Sequence, residues 1–287
     1  MENQARYHQA GRKMQDLPEF RLSGLRAFGA FLFCAVPLCL GFILPIFILV
    51  SLASRGGHDP FTERYVTLVW NSVSLAGLAS VLAVGLALLM AYAQRLVPGV
   101  LTNLANRVVS LGYALPGSIV AVGILIPLAT FDNVVDAWME ATFGIDTGLL
   151  LTGSIAALIF GYLVRFMAVA LNTVDAALTK VTERMDDAAR ALGCGPGGTL
   201  VRIHAPLLRG SLLTAGLIVF VDVMKELPAT LIMRPFNFDT LAVQAYRLAS
   251  DERLTQAATP ALMIVAVGIL PVVILSRQIM RSRPGRG

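Results

Sequence analysis

Residues 171–209 read LNTVDAALTKVTERMDDAARALGCGPGGTLVRIHAPLLR, a polar stretch set between apolar runs. At about 40 residues it is far longer than the usual connection between packed helices. Ala176, Ala177, Val181, Ala188 and Ala189 recur among charged residues over 175–192, which predicts a helix. Gly193 stands just past its end, where glycine is favoured. A second short segment, 198–204, is expected to close at Pro206.

Outward from this stretch the chain is mostly hydrocarbon. Of its 287 residues 56% are hydrophobic and only 14% charged; the mean hydropathy is +0.72. A soluble domain of that length needs more polar surface than this sequence supplies. A hydrocarbon layer about 30 Å thick takes about 20 apolar residues of helix. Six stretches qualify, at 27–53, 69–93, 108–130, 149–171, 210–233 and 257–275. The expected fold is therefore an all-α integral membrane bundle of six transmembrane helices over 27–276. A polar lead, 1–26, precedes it, and a basic tail, 277–287, follows. The long lead and the lack of a small-residue cleavage site argue against a removable signal.

Charge gives the orientation. One set of alternate connectors holds Arg6, Arg12, Lys13, Arg21 and Arg26, then Arg95 and Arg107, then Lys180, Arg184, Arg190, Arg202 and Arg209, then the basic tail. The other set is poor in cations and includes Asp132, Asp136, Glu140 and Asp146. Since Lys and Arg concentrate in cytoplasmic loops, both termini and the 171–209 loop are expected in the cytoplasm. The net charge of +5 thus reports topology and not a nucleic-acid partner. Cys34, Cys39 and Cys194 give no disulfide framework, and His8, His58 and His204 lie too far apart for a histidine metal site. Gly77, Ser80 and Gly85 are expected to let helices approach closely.

The loop carries a resemblance. Asp187-Ala188-Ala189, then Gly193, Ile203 and Pro206, is similar to the EAA loop of binding-protein-dependent ABC importer permeases, of form E-A-A-x3-G-x9-I-x-L-P. Asp187 replaces the usual Glu and Ala205 the usual Leu, with the spacing intact. The resemblance implies the type I (MetI-like) permease fold, a loop docked on a dimer of ATPase subunits, and a periplasmic solute-binding protein as partner. It implies no cofactor on this chain, with ATP and Mg held by the ATPase. The neighbouring Gly193-Cys194-Gly195-Pro196-Gly197-Gly198 matches G-x-G-x-x-G only formally: no strand precedes it, and Pro196 removes a donor from any phosphate cradle.

Lys225 and Glu226 fall inside the fifth apolar stretch, where an ionisable group costs at least ~2.5 kcal/mol and normally faces the bundle interior or water. Pro228 predicts a broken helix there. Two readings stay open: a structural ion pair, or the lining of a translocation path or gate by Lys225, Glu226, Pro228 and Arg234. Lys225-Glu226-Leu227-Pro228-Ala229-Thr230-Leu231, Arg234-Pro235, and Leu111-Gly112-Tyr113-Ala114-Leu115-Pro116-Gly117 resemble ferric-iron-type permeases, parts being shared with thiamine-type ones. Residues 241–252 are expected as an outer helix, either a binding-protein contact or a plain surface helix.

Permeases of the ferric-iron type commonly hold two six-span halves, and the start of this chain resembles the linker before the second half. The resemblance therefore implies a half-permease, completed by a second copy or a separate first half, in the bacterial inner membrane. An ATP-independent carrier would call for inverted repeats, and a membrane enzyme for a cluster of catalytic groups. Neither pattern stands in the sequence.

Overall fold

The computed structural model describes residues 22–179 and 181–281. Residues 1–21 of the expected lead and 282–287 of the tail lie outside them, as does His8. Every regular element among the described residues is helical. The chain divides into two units, Met1–Ile48 and Leu49–Gly287.

Most of α1 (Gly24–Gly56) belongs to the first unit. Pro37 lies inside it, and a π-helical turn, Cys39–Ile43, follows. Proline cannot donate to the carbonyl four residues back, and a wider turn is one way a helix absorbs that lost bond.

The second unit is built on α2 (Glu63–Leu96), α3 (Val100–Leu111), α4 (Gly117–Phe143) and α5 (Ile155–Leu178). The loop region holds α6 (Glu183–Ala191) and α7 (Pro196–Leu207). Then come α8 (Arg209–Met224), α9 (Pro228–Met233), α10 (Leu241–Ser250) and α11 (Leu254–Arg281). Among the described residues five helices are long and apolar enough to cross a membrane, or six if α7 with α8, bent by 78°, forms one span.

The helices α2, α5 and α8 pack pairwise and form the centre of the unit. Lipid tails are as apolar as Leu, so burial against lipid drives little association, and close contact between helices has to supply it. On α2 that contact is a stripe of alanines: Ala76, Ala79, Ala83, Ala87 and Ala91, each 0–2% exposed. Their spacing of three or four residues keeps them on one face. Gly77 and Gly85, expected to serve this purpose, instead face open space, with nothing within 4 Å of a Cβ at either. Ser80 is buried and donates to the Gly77 carbonyl. The close approaches lie elsewhere. A Cβ on Gly112 would stand 1.8 Å from the Val164 carbonyl oxygen, and one on Gly161 2.9 Å from Met233 Sδ.

Several expected boundaries move, each for a local reason. The third span does not run unbroken from residue 108: α3 ends, a 3-10 turn Gly112–Ala114 follows, and α4 starts at Gly117. Leu115 is extended, as a residue before proline tends to be. The helix then continues to Phe143, so Asp132, Asp136 and Glu140 lie on α4 and not in a loop. Asp132 accepts from the backbone N–H groups of Leu151 and Thr152, and Asp136 from those of Thr147 and Gly148. These bonds hold 147–152 in an irregular path, and the fourth span starts at Ile155, where Ser154 caps it by accepting from Ala157 N–H. The outer helix expected at 241–252 is α10, with Thr240 as its cap.

Candidate functional site

The loop over 171–209 departs from expectation in its pieces. The helix expected over 175–192 is two helices: α5 continues to Leu178, and α6 begins at Glu183 after extended Thr182. Val174, Ala177, Leu178 and Val181 are buried, so the start of the predicted helix follows the burial of the membrane helix above it. The segment expected to close at Pro206 begins at Pro196 and passes through Pro206 to Leu207, with a π-helical turn Leu200–His204 before the proline. Gly193 does end α6, with φ +78, a conformation that L side chains rarely adopt.

Within this loop the two acidic neighbours face opposite ways. Asp187 is exposed, and among the described residues its carboxylate pairs with Arg190, 2.8 Å away on the same helix. Ala188 is exposed and Ala189 buried; Gly193 and Pro206 are exposed and Ile203 half-buried. Asp186 points inward. One carboxylate oxygen meets Arg95 Nε at 2.8 Å, and the other meets Nε2 of fully buried His204 at 2.6 Å. Arg95 also donates to the Leu178 carbonyl. Tyr92 donates to the Pro196 carbonyl and packs edge-on against the His204 ring at 5.2 Å. Burial pushes the Asp186 carboxyl up, but the hydrogen bonds from Arg95 and His204 outweigh it and hold the group below the usual carboxylate range. Three segments, α2, α6 and α7, therefore meet at Asp186, and Arg95 ties the end of α5 to them through the Leu178 carbonyl.

Deeper in the bundle the fifth span is interrupted. The helix stops at Met224 and resumes at Pro228, leaving Lys225, Glu226 and Leu227 between α8 and α9. Lys225 and Glu226 do not pair with each other. Lys225, 64% exposed, bonds Asp222 at 2.9 Å; Glu226, 6% exposed, bonds Arg165 at 2.9 Å. Arg165 fixes the depth of this cluster, because at 1.5 Å per residue it lies about 15 Å past Ile155 and about 20 Å before Leu178. Glu226 also accepts from Ala229 N–H, and its own carbonyl accepts from Thr230, whose hydroxyl meets Tyr162 at 2.6 Å. Gly117 makes room for the pair: a Cβ there would be 1.9 Å from Arg165 Nη1 and 2.5 Å from Glu226 Oε1. Arg234 lies apart from this cluster, bound to Asp239 at 2.6 Å.

Below the cluster, two grooves of about 260 and 320 Å³ follow one another between the end of α5 and the start of α8. Thr173, Ser211 and Thr214 line the upper one, and Val181, Met185 and Leu208 the lower, which opens beside α6.

Reading the sequence missed Arg165, Arg95, Asp186 and His204 as members of these clusters. A signal existed for Arg165, the single cation within the apolar run of α5. Nothing in the sequence singles out Asp186 over Asp187. No group of three or more potential metal-ligating side chains occurs among the described residues.

These features define a polytopic helical membrane protein with a structured loop between two of its spans and charges buried in the bundle. The chain belongs to the family described as binding-protein-dependent transport system inner membrane component, whose profile matches residues 83–283. It is 25% identical over 227 residues to the Fe(3+)-transport system permease protein FbpB 2 of Haemophilus influenzae, covering 79% of this chain and 41% of that protein. It is 24% identical over 129 residues to a putative 2-aminoethylphosphonate transport system permease protein, PhnV, of Salmonella typhimurium, covering 45% and 49%. The chain thus spans about half the length or less of these relatives. Its fold is shared with a chain of a bacterial alginate ABC transporter solved in complex with an alginate pentasaccharide-bound periplasmic protein. The TM-score is 0.68 at 18% identity, over 89% of this chain and 94% of that one.

Proposed function

We propose that this chain is half of the permease of an ATP-driven importer in the bacterial inner membrane, moving ferric iron delivered by a periplasmic binding protein. The observation that carries the reading is the family match across 83–283, which includes both the exposed Asp187-Ala188 face of the loop and the broken fifth span. Iron comes from the ferric relative, which aligns over more of the chain than the phosphonate relative does. Thiamine and 2-aminoethylphosphonate are the solutes to compare.

In this reading α6 docks on a dimer of ATPase subunits, which hold ATP and Mg; this chain holds neither. Asp187, Ala188, Ala189, Gly193, Ile203 and Pro206 form the coupling loop. Asp187 and Ala188 offer a charge and a shallow surface to the partner. Gly193 turns the chain back and Ala189 seats the helix on the bundle. Closure of the ATPases moves the loop, and the spans rearrange between outward and inward access. A second half, either another copy or a separate chain, completes the pore within the lipid bilayer.

Lys225, Glu226 and Pro228 mark the route. An ammonium 64% exposed at this depth is unfavourable against lipid and is accommodated in a water-filled or protein-lined space. Arg234, held by Asp239, belongs to the outer gate. The test is uptake in proteoliposomes holding the chain, its second half, the ATPase and a binding protein loaded with ferric iron. ATP-dependent iron uptake that exceeds uptake of thiamine or 2-aminoethylphosphonate is expected. Uptake that proceeds equally without the ATPase refutes the importer reading, and uptake of another solute alone refutes iron.

A further inference from the structure

The helix α2 is fastened at both ends to segments that are not its packing neighbours in the bundle centre. At the cytoplasmic end Arg95 and Tyr92 hold α6 and α7 through Asp186, His204 and the Pro196 carbonyl. At the other end Ser72 Oγ accepts from Leu241 N–H at 2.9 Å and Asn71 donates to the Asp239 carbonyl at 3.1 Å. About two turns further out, Arg64 donates to Gln244 of α10 at 3.1 Å. At 1.5 Å per residue, Arg95 and Ser72 are about 35 Å apart, more than the hydrocarbon thickness of about 30 Å.

Between these ends α2 has no proline, whereas α4 and α11 contain proline and the fifth span is broken at 225–227. An unbroken helix transmits displacement along its axis; a broken one takes up part of it as bending.

We infer that α2 is a rod that carries movement of the cytoplasmic loop to the outer helix α10, with Asp186 and Ser72 as the positioning residues at its two ends. This rests on the proposed docking of the loop on an ATPase. The Asp186 clamp is built for the role. Its two hydrogen bonds engage both oxygens of one carboxylate, it sits directly behind the exposed docking face, and it joins α6 to α2 through Arg95 and to α7 through His204. Without it α6 would remain docked through Asp187 and Ala188, yet its motion would no longer reach α2. The outer bonds act in reverse, passing a load on α10 to the loop.

The test uses the reconstituted complex with ATPase, second half and binding protein. Asp186→Asn is expected to leave ATPase association and basal hydrolysis within twofold of wild type while transport falls at least tenfold. Ser72→Ala is expected to remove the stimulation of hydrolysis by loaded binding protein, with basal hydrolysis kept. A mechanical linkage is restorable by a covalent one. With Cys34, Cys39 and Cys194 replaced by Ser, Arg95→Cys with Asp186→Cys should be inactive in transport, recover with a short bifunctional methanethiosulfonate reagent, and fail again on reduction. Transport within twofold of wild type in Asp186→Asn overturns the rod, as does a cross-linked pair that stays inactive. Failure of the wild-type chain to bind any ATPase overturns the functional reading first, and the rod with it.

Discussion

Replacing Glu226 by Leu removes the partner of Arg165 at mid-depth and leaves a guanidinium between α4, α5 and α9. Removing one member of a buried pair costs about 3–5 kcal/mol, because the remaining charge keeps its desolvation penalty. Arg165 retains 21% side-chain exposure, which lets water or a neighbour screen it, so about 2–3 kcal/mol is the expected loss. Arg165→Met alone should cost a similar amount, since it strands the more deeply buried carboxylate. The double variant, apolar on both sides, should lose far less than the sum, giving a coupling energy of about 2 kcal/mol. The measurement is unfolding free energy in mixed micelles titrated with a denaturing detergent, for wild type, both singles and the double. Gly117→Ala provides a geometric control: its Cβ would fall 1.9 Å from Arg165 Nη1, so it should break the pair without altering either charge. A coupling energy below about 0.5 kcal/mol, in the range of an exposed pair, refutes the claim that these groups hold the broken span in place.

Three further outcomes are expected. Gly112→Ala, whose Cβ would stand 1.8 Å from a backbone oxygen, should destabilise by at least the 1–3 kcal/mol typical of overpacking, while Gly77→Ala and Gly85→Ala, facing open space, should be neutral or stabilising by up to ~1 kcal/mol in the same assay. The Asp186 carboxyl is held below its unfolded value, so its contribution is complete above about pH 4 and disappears as pH falls through the lowered value. Proteolysis of the 171–209 loop should therefore quicken in acid, and Asp186→Asn should show fast cleavage at neutral pH with little further change. Ala188→Trp, at an exposed position on α6, should leave thermal unfolding within about 0.5 kcal/mol of wild type yet abolish co-purification with the ATPase.

Apolar length made the membrane helices legible, because the hydrocarbon thickness sets a minimum run and the sequence supplies it several times. Their ends were less legible, because polar side chains set them through bonds to distant backbone. Asp132 holds Leu151 and Thr152 from α4, and this delays the start of α5. The break at 225–227 was readable from Pro228 beside two charges. The partners of those charges were not: Arg165 and Glu226 are 61 residues apart, and Arg95 and Asp186 are 91 apart. Local pattern carries no information on such pairs. Asp186 and Asp187 are chemically identical in sequence, and only the direction each takes from α6 separates an anchor from an exposed charge.

The alanine stripe of α2 has a consequence for motion. Large interlocking side chains resist axial displacement, since each ridge has to climb out of its groove before it settles in the next. A row of single methyl groups at Ala76, Ala79, Ala83, Ala87 and Ala91 presents almost no relief to α5 and α8. Small sliding shifts of α2 then need no change of rotamer along the stripe itself, and the cost of a shift concentrates at the larger side chains and polar ends beyond it. The face acts as a bearing, and enlarging a single alanine in it to leucine would jam the slide before it unfolded the bundle.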